Sequence, residues 1–314
     1  MDRSFGMATA DIAQQPGVPR EGLLGRHPLV FFFLLSFVFS WAYWGLHKGL
    51  QLPGPLFALG AAGPLASAFI VLATTSGRPG VLRWLRSFVH GRVGVQWYLV
   101  TLVGVPVLML LAYLVTPGAL ADFRAPAWSL LPLYLTEFAT ALFLGGGPLL
   151  EEGGWRGFAL PRMQPLHGPL VGTLILGALW ALWHLPFFFG PLSLTGPDAT
   201  FVGACIAFLL FAIGLIGFSV VVTWVLNNCG GSVLMAILLH AALDASPAFV
   251  ALFPSTTPYY EPVHFQTLGI AIVFSITALV IIVATRGQLS YQRQLSYQRY
   301  QREVELPAMT GTVR

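Results

Sequence analysis

Charged side chains are scarce in this 314-residue chain, where Asp, Glu, Lys and Arg make up 9% of the residues. A soluble globular protein carries about 25% charged residues, because its surface must be hydrated. Here 56% of the residues are hydrophobic and the mean hydropathy is +0.76. This composition excludes a soluble enzyme and indicates a protein that crosses a membrane several times.

Cysteine is also rare, and two residues cannot form a disulfide framework. The net charge of +4 is small and the basic residues lie at the ends of apolar runs, so nucleic-acid binding is not predicted. The apolar runs are long rather than short and alternating, which favours a bundle of helices over a membrane β-barrel.

Eight apolar stretches approach or exceed the length needed to cross about 30 Å of hydrocarbon. We place them at 28–46, 55–75, 96–116, 129–150, 169–189, 201–226, 231–252 and 264–285. The sequence thus predicts a polar N-terminal segment, 1–27, a membrane domain, 28–285, and a basic tail, 286–314. The first apolar run has no evident cleavage site, so we interpret it as a retained signal anchor.

The distribution of basic residues predicts the topology. With the N-terminus in the cytoplasm, fourteen arginines fall on the cytoplasmic side and only Lys48 and Arg124 on the other. This asymmetry follows the positive-inside rule. It predicts eight spans in the plasma membrane with both termini cytoplasmic.

Two segments outside the predicted spans are distinct. Residues 80–94 mix arginines with Leu and Trp, which is typical of a helix lying in the cytoplasmic interface or of a connector between spans. The tail repeats Gln-Leu-Ser-Tyr-Gln-Arg at 288–293 and 294–299, and we expect an extended surface helix or a flexible basic tail there.

Ionisable residues inside apolar runs are energetically costly, so each is a candidate functional residue. They are Glu137, Glu151, Glu152, Arg156, His184, His240 and Asp244. Glu152 and Arg156 are four residues apart and can pair on one helix face. Glu151 points about 100° away without a local partner, which suits a general base, whereas an ion pair capping a helix end is the alternative.

Helix-breaking residues accompany these groups. The run 145–148, Gly-Gly-Gly-Pro, should kink the helix before Glu151, and Gly153 and Gly154 allow another chain segment to approach closely. Glu137 lies on the other side of the predicted break and is left out of the site. Broken helices at membrane depth are expected where they line a cavity.

Two histidines complete the candidate site. His184 follows Trp180 by four residues, and His240 precedes Asp244 by four, so each pair shares a helix face. At about 1.5 Å per helical residue, Glu151, His184 and His240 reach similar depths. We therefore expect Glu151, His184, His240 and Asp244 to converge in one pocket in the cytoplasmic half of the membrane.

These motifs resemble those of the CAAX protease and bacteriocin-processing (CPBP or Abi) family of intramembrane proteases. The family shows Glu-Glu-x-x-x-Arg, Phe-x-x-x-His and His-x-x-x-Asn/Asp in this order. Here they correspond to Glu151-Glu152 with Arg156, Trp180 with His184, and His240 with Asp244. The resemblance covers residues 129–247, is closer to the bacterial branch, and departs from the pattern at Trp180, which replaces Phe.

The resemblance implies an endopeptidase that hydrolyses a peptide bond of a membrane-associated or leader-type peptide with activated water. Glu151 would be the general base, helped by His184. His240, with Asp244, would stabilise the oxyanion, while Glu152 and Arg156 would position Glu151. Because Asp244 is a carboxylate where characterised relatives have Asn, orienting His240 or binding a metal suits it better.

The residues are also compatible with other mechanisms and functions. Glu151, His184, His240 and Asp244 have the donor types of a zinc site, so a glutamate protease and a metalloprotease are both compatible with the residues. A transporter, a membrane scaffold or an immunity factor could also use the polar cluster. The expected partners are a peptide or small membrane-protein substrate and membrane lipid.

Overall fold

The computed structural model describes residues 22–116, 119–125, 128–193, 200–253 and 264–296, without the side chains of Val250 and residues 264–267. Regular structure in these residues is helical throughout, and none of them lies in a strand. The fold is therefore the all-α membrane bundle that the composition predicts. Most of the predicted N-terminal segment and the tail from residue 297 lie outside the described residues.

Ten helices of eight or more residues, all within the described ranges, form the body of the bundle. They are α1 (Pro28–Gly49), α2 (Gly63–Thr75, preceded by a 3-10 segment), α3 (Gly77–Ser87), α4 (Val95–Leu114), α5 (Leu130–Phe143), α6 (Gly147–His167), α7 (Pro169–Trp183), α8 (Phe201–Asn228), α9 (Val233–Asp244) and α10 (His264–Ala284). Pro stands in the first turn of α1, α2, α6 and α7, where its missing N–H costs no hydrogen bond.

The protein is a multi-pass membrane protein. Among the described residues, five helical segments are long and apolar enough to span a bilayer, or six if the bent pair of α5 and α6 is one span. Two shorter apolar helices, Pro169–Trp183 and Val233–Phe249, account for the remaining predicted stretches. The count of eight spans and the cytoplasmic termini stay predictions.

The predicted break before Glu151 is confirmed. The helix pair α5 and α6 is bent by 47° between Phe143 and Gly147. Gly146 has φ +77°, and a Cβ there would lie 2.8 Å from the carbonyl oxygen of Ala58. Only glycine combines this left-handed backbone with such a close approach. After the bend, α6 continues in a new direction as far as His167. The fourth predicted apolar stretch, in contrast, ends at residue 150.

Helix α6 packs against the helices α2, α7 and α9. At Gly154, an added Cβ would lie 2.5 Å from Pro64 Cβ and 2.6 Å from the Pro64 carbonyl carbon. The predicted close approach at Gly153 and Gly154 is thus confirmed, and it comes from the first turn of α2.

Gly154→Ala should therefore destabilise the fold, although alanine favours helix. Because the clash is with backbone atoms that cannot rotate away, we expect a loss of about 1–3 kcal/mol in unfolding free energy. Thermal unfolding in detergent measures it. Gly45→Ala in α1 is the control, since nothing lies within 4 Å of its Cβ position. Equal stability of the two variants would contradict the packing argument.

Polar side chains join α8 to its neighbours. Thr223 accepts from Thr173 of α7 at 3.1 Å, and Asn227 Oδ1 accepts from Gln164 of α6 at 3.2 Å. Asn227 Nδ2 also donates to the Leu289 carbonyl at 2.8 Å, so the described start of the tail packs against α8. Such hydrogen bonds between helices favour specific packing inside a bilayer, where burial of apolar side chains alone does not.

Candidate active site

Helix α6 carries the first three candidate residues in its opening turns. Glu151, Glu152 and Arg156 are 5%, 0% and 1% exposed. The helix changes to π geometry at Trp155–Ala159, directly after the two glycines. Such π segments occur frequently at functional sites. Glu137 lies on α5, beyond the break, as expected.

Glu152 joins two parts of the bundle. Its Oε1 accepts a hydrogen bond from Arg156 Nη1 at 2.9 Å and another from His240 Nδ1 at 2.9 Å. The predicted pair with Arg156 is confirmed. His240, the second donor, lies 88 residues after Glu152 in the sequence. The direct contacts of Glu152 therefore orient His240 of α9, whereas the resemblance implied that Glu152 and Arg156 position Glu151.

Glu151 does have a partner, although not one on its own helix. Trp180 Nε1 on α7 donates to Glu151 Oε2 at 2.7 Å. The same indole ring lies under the Arg156 guanidinium, with Cζ 4.0 Å from the ring centroid. The Phe of the family motif cannot donate such a bond. Trp180 therefore holds Oε2 of Glu151 in place and leaves Oε1 available to accept another hydrogen bond.

Three polar atoms converge beside Gly147, the first residue of α6. From the position that a Gly147 Cβ would take, Asp244 Oδ2 and Glu151 Oε1 lie at 3.3 Å, and His240 Nε2 at 3.9 Å. His240 Nε2 and Asp244 Oδ2 are 3.6 Å apart. His240 is 5% exposed, whereas the Asp244 side chain is 38% exposed and stands at the mouth of the site. The structure brings these three predicted residues together.

His184 lies at the edge of the group. Its Nδ1 donates to the Trp180 carbonyl at 2.8 Å, because a carbonyl oxygen can only accept. That bond leaves Nε2 as the acceptor nitrogen. The ring is surrounded by Trp180, Trp183, Phe187 and Phe211. No hydrogen bond joins His184 to Glu151, His240 or Asp244 within the described residues, so it is placed near the site through Trp180 alone.

The side chains do not fit a preformed zinc site. In the part of the chain that the structure describes, no group of three or more His, Cys, Asp or Glu residues could hold a metal ion. His240 Nδ1 is bonded to Glu152 and His184 Nδ1 to a carbonyl, so each histidine has one nitrogen left. We therefore derive no step through a metal.

Two residues of the site were missed by the sequence reasoning. Ser219 Oγ of α8 accepts from Arg156 Nη2 at 3.1 Å and is itself 1% exposed. A single Ser in an apolar run is common, so the sequence around Ser219 does not indicate a functional role. Gly147 was read only as a helix breaker, although its lack of a side chain also leaves the space onto which Glu151, His240 and Asp244 converge.

Comparisons with known proteins agree with this site. Residues 132–246 match the family described as "Type II CAAX prenyl endopeptidase Rce1-like", and this range contains every candidate site residue. The CAAX prenyl protease 2 of Methanococcus maripaludis is 22% identical over 250 residues, which cover 78% of this chain and 84% of that protein. Together with the three motifs in order, these matches make the chain similar to CAAX proteases and support the CAAX protease and bacteriocin-processing family.

Proposed function

We propose that this protein is an intramembrane endopeptidase in which Glu151 activates the attacking water. The observation that carries the proposal is the convergence of Glu151 Oε1, His240 Nε2 and Asp244 Oδ2 beside Gly147. A water held between these atoms has an acceptor for its proton and stands next to a group that can stabilise negative charge. The similarity to CAAX proteases supports peptidase activity.

The reaction begins when the water oxygen attacks the carbonyl carbon of the scissile peptide bond. Glu151 Oε1 takes the proton released by that water, and the carbonyl electrons move onto oxygen. When the carbon–nitrogen bond breaks, the proton on Glu151 passes to the leaving nitrogen. The carbonyl double bond forms again as that bond breaks, so one water is consumed, one carboxylic acid and one amine are formed, and Glu151 returns to its starting state.

His240 has the better position to stabilise the oxyanion. Glu152 holds its Nδ1–H, so the ring is fixed with Nε2 toward Gly147. When Nε2 also carries a proton, it donates to the developing oxyanion. Asp244, at 3.6 Å from Nε2, keeps the ring oriented and favours that protonated form. His184 lies beside Trp180 at the edge of the group formed by Glu151 and His240, and its Nε2 can accept a proton from substrate or water.

The substrate class follows from the location of the site. Glu151 and His240 are almost completely buried in a bundle whose outer surface is apolar. A peptide must therefore enter from the membrane or its interface as an extended segment. A membrane-associated peptide or a leader-type peptide meets that requirement.

Purified full-length protein in lipid nanodiscs, assayed with a quenched-fluorescence peptide library, tests the proposal. We expect cleavage products whose summed mass exceeds the substrate by one water. If Glu151 activates the water without a metal, activity should persist in a strong chelator, whereas loss of activity would indicate a metal-dependent reaction. If the folded protein cleaves no peptide in the library, the peptidase assignment fails and the scaffold reading gains support.

Trp180→Phe tests how Glu151 is held. Phe keeps an aromatic ring on α7 but loses the donor to Glu151 Oε2. A hydrogen bond to a charged group contributes about 1.5–3 kcal/mol, so kcat should fall about tenfold to a hundredfold. Trp183→Phe is the control, since Trp183 Nε1 has no hydrogen-bond partner in the described structure. Equal kcat values for the two variants would show that the indole N–H does not position Glu151.

A further inference from the structure

A cavity of about 420 Å³ lies apart from the convergence point at Gly147. It is bounded by α3, the later turns of α6, the loop before α9 and the start of the tail. Four arginines line it: Arg83, Arg86, Arg156 and Arg162. None of its lining residues in the described chain is Asp or Glu. The cavity is therefore a concentrated region of positive charge, and we name it the arginine cavity.

The arginine cavity contains donors without acceptors. Arg83 and Arg86 are exposed, and within the described ranges neither forms an ion pair. Arg156 is buried and its Nε has no hydrogen-bond partner in the described structure. The exposed guanidinium groups of Arg83 and Arg86 are therefore available to a ligand that supplies acceptors, because charge-assisted hydrogen bonds to such a ligand are strong. Burial lowers the pKa of His90, so that lining residue adds no charge at neutral pH.

The cavity wall formed by α3 also borders an apolar surface. Leu82, Leu85 and Val89 are 42%, 47% and 78% exposed and repeat at helical spacing, next to the face that carries Arg83 and Arg86. Helix α3 ends at Ser87, so the helical part of the predicted segment 80–94 is shorter than expected. An arginine face beside an exposed leucine face is the pattern of a helix that lies in the membrane interface.

We propose that the arginine cavity binds the phosphate group of an anionic membrane lipid. Arginine recognises phosphate through paired N–H donors, and basic pockets between membrane helices bind lipid headgroups. The acyl chains would lie along Leu82 and Leu85. Gln294 Oε1 is a buried acceptor with no partner in the described structure, and it suits a headgroup hydroxyl. The cavity volume is within the usual range for small-ligand sites, about 300–1,000 Å³.

The bound lipid would lie close to the candidate active site. Arg156 lines the cavity and also donates through Nη1 to Glu152, which holds His240. Trp84, which lines the same cavity, donates from Nε1 to the Gly153 carbonyl at 2.9 Å and ties α3 to α6. The lipid-binding proposal itself does not depend on peptidase activity.

Native mass spectrometry of the full chain in detergent tests the proposal with phosphatidylglycerol, phosphatidylcholine of the same chain length and inorganic phosphate as probes. We expect phosphatidylglycerol to remain bound at concentrations where phosphatidylcholine does not. Arg83→Gln/Arg86→Gln should weaken phosphatidylglycerol binding about tenfold or more, the scale of a lost charge-assisted hydrogen bond. Arg78→Gln/Arg92→Gln removes the same charge from exposed positions outside the cavity and should change binding less than about twofold.

Equal binding of the two lipids, or equal weakening by the two double variants, would overturn the proposal. Tight binding of inorganic phosphate that displaces phosphatidylglycerol would show that the site serves a soluble phosphate, and the lipid assignment would fall. Size-exclusion chromatography and thermal unfolding show whether each variant is folded. Arg83→Lys/Arg86→Lys keeps the charge but loses the paired donors, and it should bind more weakly than the parent and more tightly than the glutamine pair.

Discussion

Replacing Glu151 by glutamine is expected to lower kcat by about 10²–10⁴-fold, the usual contribution of a general base. Glutamine keeps the size of the side chain and can still accept from Trp180, but its amide cannot take a proton from water at neutral pH. The folded structure should be preserved, because the Glu152–Arg156–His240 hydrogen bonds do not include Glu151. Peptide cleavage in nanodiscs, normalised to folded protein, measures the effect.

Glu137→Gln is the matched control for that experiment. Glu137 is a half-buried glutamate in another apolar run, and it lies on α5 beyond the 47° bend. Its replacement should leave kcat within about twofold, as expected for a group with no role in the chemistry. Cleavage by Glu151→Gln at the parent rate would remove the proposed mechanism, whatever the control shows.

Combining Glu151→Gln with His240→Ala should cost far less than the product of the two single effects. Residues that act as one catalytic unit behave in this way. Once the first substitution has abolished the step that both residues accelerate, the second substitution has little further effect on the rate. His240 is nearly buried and shares the convergence point with Glu151 and Asp244. Multiplicative losses would indicate that the two residues act in separate steps.

Glu152→Gln should have the largest effect on stability. Glu152 Oε1 accepts from both Arg156 and His240, and all three side chains are buried. The amide removes the negative charge and leaves the Arg156 guanidinium uncompensated. Removing one partner of a buried ion pair costs about 3–5 kcal/mol. We therefore expect a lower yield of folded protein and a lower unfolding temperature, as well as reduced cleavage because His240 is no longer fixed.

A second variant separates the charge effect from a general loss of packing. Glu152→Met/Arg156→Met removes both charges, and replacing a buried ion pair by apolar groups of similar volume is often close to neutral for stability. Unfolding temperatures in detergent should therefore rank the parent and the double variant above Glu152→Gln. A double variant less stable than the single one would show that Arg156 contributes chiefly through Ser219 and Trp180 rather than through Glu152.

Much of the candidate site was predictable because the relevant signals are local. An ionisable group inside an apolar run is unfavourable, so Glu151, Glu152, His184 and His240 stand out without any structure. The spacing of four residues between Glu152 and Arg156 predicts their ion pair, and three consecutive glycines before Pro148 predict the bend. Each of these inferences depends on neighbours within one helix.

Contacts between distant segments were not predictable in this way. The hydrogen bond from Trp180 to Glu151 depends on how α6 and α7 meet, so the spacing of residues within one helix does not predict it. The carboxylate that holds His240 comes from Glu152, and Ser219 of α8 completes the surroundings of Arg156. The same applies to zinc, since residue types permit it but only side-chain positions decide whether three donors can meet.

The sequence by itself determined that this chain forms a helical membrane bundle, since 9% charged residues cannot hydrate a soluble surface. It also determined which side chains were candidates for chemistry, because burial makes polar groups in apolar helices costly. Only the tertiary structure decided their partners. Periodicity defines the face of each helix but not the rotation of one helix against another, and that rotation brings Glu152 to His240, Trp180 to Glu151, and four arginines to one cavity.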